Sequence, residues 1–187
     1  MNIKLLYTIF IAIATLSFSS LQAQSAGKKR EVGVQLNGIN FGGFNSFSGF
    51  YKKQLNENKY RRVRFFSGNL FTGVVGEDDF RFNLNLGAAI GREKRRALDT
   101  RLDFFCGPEF AFSVGFQSIN DDTAFSLFPS FGYVLGLQHS FNERWAINIE
   151  TIPSIGVGVV LLPGDNDQLT LDAGITNSVA LGVVRKF

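Results

Sequence analysis

The 187-residue chain contains one cysteine, one histidine, one methionine and one tryptophan, and only four prolines. A single thiol, Cys106, excludes an internal disulfide framework. A single imidazole, His139, leaves no histidine cluster around which to build a metal centre. The formal net charge of +3 is too small a bias to argue for nucleic acid as a partner. Beyond the N-terminal segment no apolar run approaches the roughly 20 residues that a membrane-spanning helix needs. Insertion of the remaining chain into a bilayer would therefore have to use strands closed into a barrel, where every backbone group is paired. Phenylalanine and glycine are abundant, at 21 and 20 residues. Their alternation suits strands with one bulky apolar face and one crowded, narrow face.

The N-terminus has the layout of a secretory signal peptide, assigned to residues 1–23. Lys4 supplies the positive start, Leu5 to Phe18 the apolar run, and Leu21-Gln22-Ala23 the cleavage site. Residues 24–30 are polar and basic and read as a short periplasmic lead-in. Residues 31–187 form one domain.

The last stretch sets the pattern. Leu169, Leu171, Ala173 and Ile175, then Val179, Leu181, Val183 and Phe187, hold one phase, while small and polar groups hold the other. Side chains on a strand point alternately to opposite faces, so this is a strand with one oily and one polar side. The same alternation recurs upstream. Phe80, Phe82, Leu84, Leu86, Ala88 and Ile90 face one way, and Arg81, Asn83, Asn85 and Gly87 the other. Leu102 to Phe116, Phe125 to Leu137 and Trp145 to Val159 repeat it, and three less regular strands precede them. The spacing predicts eight strands in an all-β, antiparallel, up-and-down transmembrane barrel. It predicts turns at 55–59, 93–98 and 140–143 on the side of the termini and loops at 42–45, 74–79, 118–122 and 162–167 on the other. Pro108, Pro129 and Pro153 fall inside strands, and each requires a bulge or an unpaired position, because proline cannot donate to a ladder.

Several segments carry a resemblance to a known group. Phe50-Tyr51-Lys52-Lys53-Gln54, Tyr60-Arg61-Arg62-Val63-Arg64-Phe65, Leu135-Gly136-Leu137-Gln138-His139-Ser140-Phe141 and the ending Val184-Arg185-Lys186-Phe187 resemble small outer-membrane β-barrel proteins of Gram-negative bacteria. The architecture is similar to the eight-stranded domain of the outer membrane protein A type. The resemblance implies residence in the outer membrane, contact with its lipid, and delivery by the barrel assembly machinery through the C-terminal strand. Arg185 departs from that pattern, since it stands where such families favour an apolar or aromatic residue.

The polar phase carries Lys52, Arg62, Arg64, Arg81, Asp103, Glu109, Glu150 and Asp172. Eight strands enclose a space about wide enough for side chains to fill, so these groups are expected to pair across the interior and plug it. Tyr51, Tyr60, Phe141, Trp145 and Phe187 fall near one boundary and read as an interfacial aromatic belt. Lys94, Arg95 and Arg96 read as a solvated basic turn, and Asp121-Asp122 and Asp165-Asn166-Asp167 as solvated loops lacking regular calcium-ligand spacing. His139 and Ser140 are adjacent on one strand and so point to opposite faces, a poor arrangement for a base and its nucleophile. No catalytic residue, metal ligand or cofactor is assigned. The functional expectation is a structural or interaction role without a wide pore. Two other readings remain open: a barrel enzyme acting on outer-membrane lipid, and a soluble lipocalin-like carrier with an apolar cavity.

Overall fold

The structure, a computed structural model, describes residues 29–38, 46–75, 79–119, 122–162 and 168–187, with only the backbone described for 68–75, 79–82, 118–119, 122–123, 162 and 168–178. Eight antiparallel strands follow one another in chain order: β1 Arg30–Asn37, β2 Ser46–Asn56, β3 Lys59–Val75, β4 Asp79–Ala97, β5 Leu102–Ile119, β6 Asp122–Ser140, β7 Trp145–Leu162 and β8 Gln168–Lys186. Each pairs with its sequence neighbour, and β1 pairs with β8 from Glu31 opposite Lys186 to Asn37 opposite Ala180, which closes the barrel. Closure removes the unpaired edges that would otherwise have to be satisfied in lipid.

Short turns at Glu57–Asn58, 98–101 and 141–144 lie at the same end as both ends of the barrel sequence; this is the turn end. Expected boundaries are corrected at both ends, and the turns expected at 55–59 and 140–143 are shorter because Leu55, Asn56, Lys59 and Ser140 are strand. The charged segment 93–98 is strand as far as Ala97, paired with β5 as Lys94–Cys106 and Ala97–Asp103. At the other end, the loop end, Val74, Val75 and Asp79 belong to the β3–β4 ladder, and Ser118, Ile119 and Asp122 to the β5–β6 ladder.

The prolines are accommodated without any register shift. Pro108 pairs with Tyr133 on β6, but the β4–β5 ladder is open between the pairs Gly91–Glu109 and Lys94–Cys106. Pro129 and Pro153 keep their partners Phe112 and Asn177, while the β6–β7 ladder opens beside each of them. Successive residues of an antiparallel strand bond to opposite neighbours. A proline therefore interrupts only the one seam its N–H would have served.

The two faces differ sharply. Outward positions carry exposed Val34, Phe65, Ile90, Phe110, Phe131, Ile149, Ile155 and Val183, among others, whereas inward positions bury Lys52, Arg62, Glu93, Glu109, Gln138 and Glu150. Phe112, Leu135 and Ile149 are exposed on the outer wall, and Leu84 is half-buried on the same phase. In water this distribution would be inverted. Apolar area left in contact with water costs roughly 25 cal/mol per Å², and the inside-out arrangement fits a wall surrounded by lipid.

Inside, rings lie over glycines. A Cβ built on Gly33 would stand 2.2 Å from the Phe50 ring, and one on Gly87 2.2 Å from Phe66. Gly136 bears the same relation to Phe105 and Gly156 to Phe128, at 2.3 and 2.5 Å. These four pairs set a bulky ring against the smallest residue in a narrow lumen, while Phe47, Phe65, Phe110, Phe112, Phe116 and Phe131 are exposed on the outer wall.

Candidate functional site

The interior ion pairs form two chains. In one, Arg64 meets Glu109 at 2.6 Å, Glu109 meets Arg62 at 3.0 Å, and Arg62 also grips both carboxylate oxygens of Glu150, its Nη1 donating at 2.7 Å. In the other, Lys52 meets Glu93 at 2.8 Å, Glu93 meets Arg95 at 2.6 Å, and Arg95 donates to both oxygens of Glu31 at 2.8 and 2.6 Å. Each chain has two cations and two anions, so the described network is neutral. Arg62 on β3 and Glu150 on β7 stand on opposite walls of an eight-stranded ring, and their contact crosses the lumen.

Burial this deep is costly for an unpaired ion, and mutual attraction offsets the cost only with good geometry and further hydrogen bonds. Gln138 supplies one to Glu31 at 3.2 Å, and Asn148 a longer one to Glu150 at 3.5 Å. Aromatic faces contribute too: the Lys52 ammonium lies 4.2 Å from the Phe105 ring centre, and the Arg95 guanidinium 3.9 Å from that of Tyr60.

Of the residues assigned to the polar phase, Lys52, Arg62, Arg64, Glu109 and Glu150 are brought together here. Asp103 is half-buried at the turn-end mouth, where it lines a cavity of about 780 Å³ with Lys29, Arg144 and Lys186. The side chains of Arg81 and Asp172 lie outside the described residues, as do Asp121 and Asp165 to Asp167 and the proposed signal peptide.

Tyr60 is a correction. It is not part of an outer belt but 5 % exposed inside the barrel, beneath Arg95. Its sequence phase is that of Arg62 and Arg64, so alternation alone places it inward; nearness to the strand end misled. Arg95 is a correction for the same reason. It continues the inward phase of Gly87, Ala89, Gly91 and Glu93, and the density of charge disguised a strand as a turn. Glu31 and Glu93 are the network members that sequence reasoning missed, and phase was the signal for both. Tyr51 is half-buried on the outward phase, and Phe141, Trp145 and Phe187 are exposed at the turn end. Arg185 lies 5.8 Å from the Trp145 ring and 5.0 Å from that of Phe187, which gives the cation two aromatic faces in place of an acid.

His139 is exposed on the outer wall, edge-on to Phe141 at 5.6 Å, while Ser140 accepts a hydrogen bond from Lys186 at 2.6 Å. The two share no contact suited to acyl transfer.

With this geometry in hand, solved structures supply the comparison. Neisserial surface protein A matches with a TM-score of 0.52 and 11 % identity, over 88 % of this chain and all of its own. Ail, the attachment invasion locus protein of Yersinia pestis, matches at 0.50 and 12 %, over 87 % of this chain and all of its own. A major outer membrane protein of Thermus thermophilus matches at 0.55 and 10 %, over 86 % and 100 %. The fold is that of the small outer-membrane barrels. No protein-family model matches the chain, and no curated protein matches it in sequence.

Proposed function

We propose that this protein is an integral outer-membrane barrel, exported through a cleaved signal peptide at residues 1–23. Its role is structural or interactive, and its lumen is closed by ion pairs and admits no wide aqueous path. The observation that carries the reading is the inversion of the two faces, with apolar side chains outside and paired charges inside. A soluble carrier of apolar ligands requires the reverse distribution. An enzyme of outer-membrane lipid is less well supported, because His139 and Ser140 stand on opposite faces. The interactive arm draws on the name of Ail, which describes attachment and invasion by that protein. Assembly through the β8 strand by the barrel assembly machinery belongs to the same proposal.

Two measurements test it. The protein should fractionate with the outer membrane, resist salt extraction and migrate faster unboiled than boiled in gels. In planar bilayers it should give no large, stable conductance steps, because opposite charges crossing so narrow a lumen leave little room for water. Release by salt would refute membrane integration, and porin-like steps would refute the closed lumen. Orientation is tested in a Cys106→Ser background: Asp165→Cys should react with an impermeant thiol reagent on intact cells and Asn56→Cys should not. Labelling at Asn56→Cys alone would reverse the topology.

A further inference from the structure

The outward positions near the turn end are charged on one flank only. Arg30 pairs with Lys53, Lys53 with Arg61, and Arg61 with Arg92, so four cations stand in one cross-strand row over β1 to β4. Lys59 and Lys94 make a second like-charged pair on β3 and β4. The row spans three strand spacings, roughly 14 Å. Like charges directly opposite one another repel, and among the described residues none of the four forms an ion pair. No acid stands on an outward strand position among the described side chains; Glu31, Glu93, Glu109 and Glu150 all face the lumen. On the β5–β7 flank the outward positions nearest the turn end are instead the uncharged Leu102, Phe104, Leu137, His139 and Trp145.

A second feature adjoins the row. Where Pro108 opens the β4–β5 ladder, the outer wall has a notch of about 460 Å³ lined by Arg61, Arg92, Ile90, Gly91, Pro108, Phe110 and Phe131, and by Glu109, whose carboxylate is held by Arg62 and Arg64 in the lumen. Two exposed arginines thus line a recess whose other side chains on the outer wall are apolar. An amphiphile with an anionic head and an acyl tail complements both parts, since guanidinium binds phosphate oxygens through paired N–H donors.

We propose that the β1–β4 rim, centred on Arg61 and Arg92, is a binding site for anionic phospholipid of the periplasmic leaflet. The phosphate bridges neighbouring cations of the row, and an acyl chain lies in the notch beside Pro108. The anionic headgroup relieves the repulsion along the row and fixes the rotational setting of the barrel against the leaflet. This rests on the outer-membrane reading and on the turn end being periplasmic.

The test is native mass spectrometry of the full barrel in a neutral maltoside, with phosphatidylglycerol, phosphatidylethanolamine and lipid A as probes. Phosphatidylglycerol should be retained over phosphatidylethanolamine. Arg61→Gln with Arg92→Gln should lower that ratio by about fivefold for each cation removed, the scale of one basic residue near an anionic surface. Arg61→Lys with Arg92→Lys, which keeps the charge but not the paired donors, should give a ratio between those of the glutamine pair and the unmodified protein, and Arg101→Gln with Arg144→Gln, in the turns, should leave it unchanged. Should the first pair fail to fold, Arg30→Gln with Lys53→Gln carries the same test on the other half of the row. Equal retention of the two phospholipids, or loss through the turn pair alone, overturns the proposal. Preferential retention of lipid A through the same row overturns the leaflet assignment. Gel migration of unboiled samples separates the two levels: no folded barrel defeats the outer-membrane reading, whereas a folded barrel indifferent to headgroup defeats this inference alone.

Discussion

Toward the turn end the lumen is filled by Lys52, Arg62, Arg95, Glu31, Glu93 and Glu150, each holding at least one opposite charge. Toward the loop end the described lumen is lined by Ser48, Asn37, Asn85 and Ser126, with Phe66 and Phe128 laid over Gly87 and Gly156. Ser48 and Asn37 exchange neutral hydrogen bonds of 3.2 to 3.4 Å. The two ends solve the same problem, filling a narrow polar space, by different means. Where ions do it, every member depends on its partner, because a lone buried charge is far more costly than a missing neutral bond. Where small groups and rings do it, the loss of one member leaves only a void or an unmade weak bond.

The largest effect should come from breaking the crossing pair. Arg62→Leu leaves Glu150 with the long bond from Asn148, the Gln35 amide and the more distant Lys52, and leaves Glu109 with Arg64 alone. The expected cost is about 3–5 kcal/mol, read from urea unfolding out of lipid vesicles by the fluorescence of Trp145. Removing Glu150 as well, as Arg62→Leu with Glu150→Leu, should restore much of the loss, since no buried charge is then orphaned on that wall. A cost below about 1 kcal/mol for the single change would mean that the turn end is wet, and the contrast between the two ends would collapse.

At the loop end, Phe66→Ala removes a ring that covers Gly87 and lies 4.7 Å from Arg64. Phe66 is only half-buried, so about 2–3 kcal/mol is expected, at or below the low end of fully buried phenylalanines. Among the charges of the turn end, Gly33→Ala drives a methyl into the Phe50 ring, which lies 5.0 Å from Lys52, and towards the Val183 carbonyl at 2.7 Å. A cost of about 1–2 kcal/mol is expected from this overpacking, with Phe50→Leu in the same chain recovering part of it. Equal losses from Phe66→Ala and Arg62→Leu would show that ring packing rather than charge pairing sets the stability of the lumen.

Alternation made the fold legible because the period of a strand is two and the two faces meet different solvents. It gave the strand number, the outward phase of Phe112, Leu135 and Ile149, and the inward phase of Lys52, Arg62, Glu109 and Glu150. It faltered where composition was allowed to outvote phase. Glu93 and Arg95 sit in a run of charge that resembles a turn, yet their parity matches Gly87 and Ala89. Tyr60 resembles a belt aromatic, yet its parity matches Arg62. The prolines show a different limit: sequence indicates that a donor is missing but not which seam loses it, because that depends on which neighbour the N–H faces. Cross-strand registers such as Arg30–Lys53–Arg61–Arg92 are likewise hidden until turn lengths are known.

The smallest prediction sharpens the contrast between inside and outside at adjacent positions. Gly49 follows Ser48 on β2 and pairs with Val34 and Phe65 on the outer wall. A Cβ built there meets nothing within 4 Å. Glycine in a strand interior is less stable than alanine by roughly 0.5–1 kcal/mol, since more backbone freedom is lost on folding. Gly49→Ala should therefore stabilise the barrel by about 0.5 kcal/mol, the added methyl lying among lipid chains at no steric cost. Gly33→Ala, inward on the neighbouring strand, should change stability in the opposite direction. The sign difference between two glycines one strand apart depends on which wall each faces, so it isolates crowding of the lumen from the backbone term the two share. If unfolding midpoints fell for both variants, Gly49 would have to be facing something other than fluid lipid, and a protein contact on that wall would be the next thing to seek by crosslinking from Phe47 and Phe65.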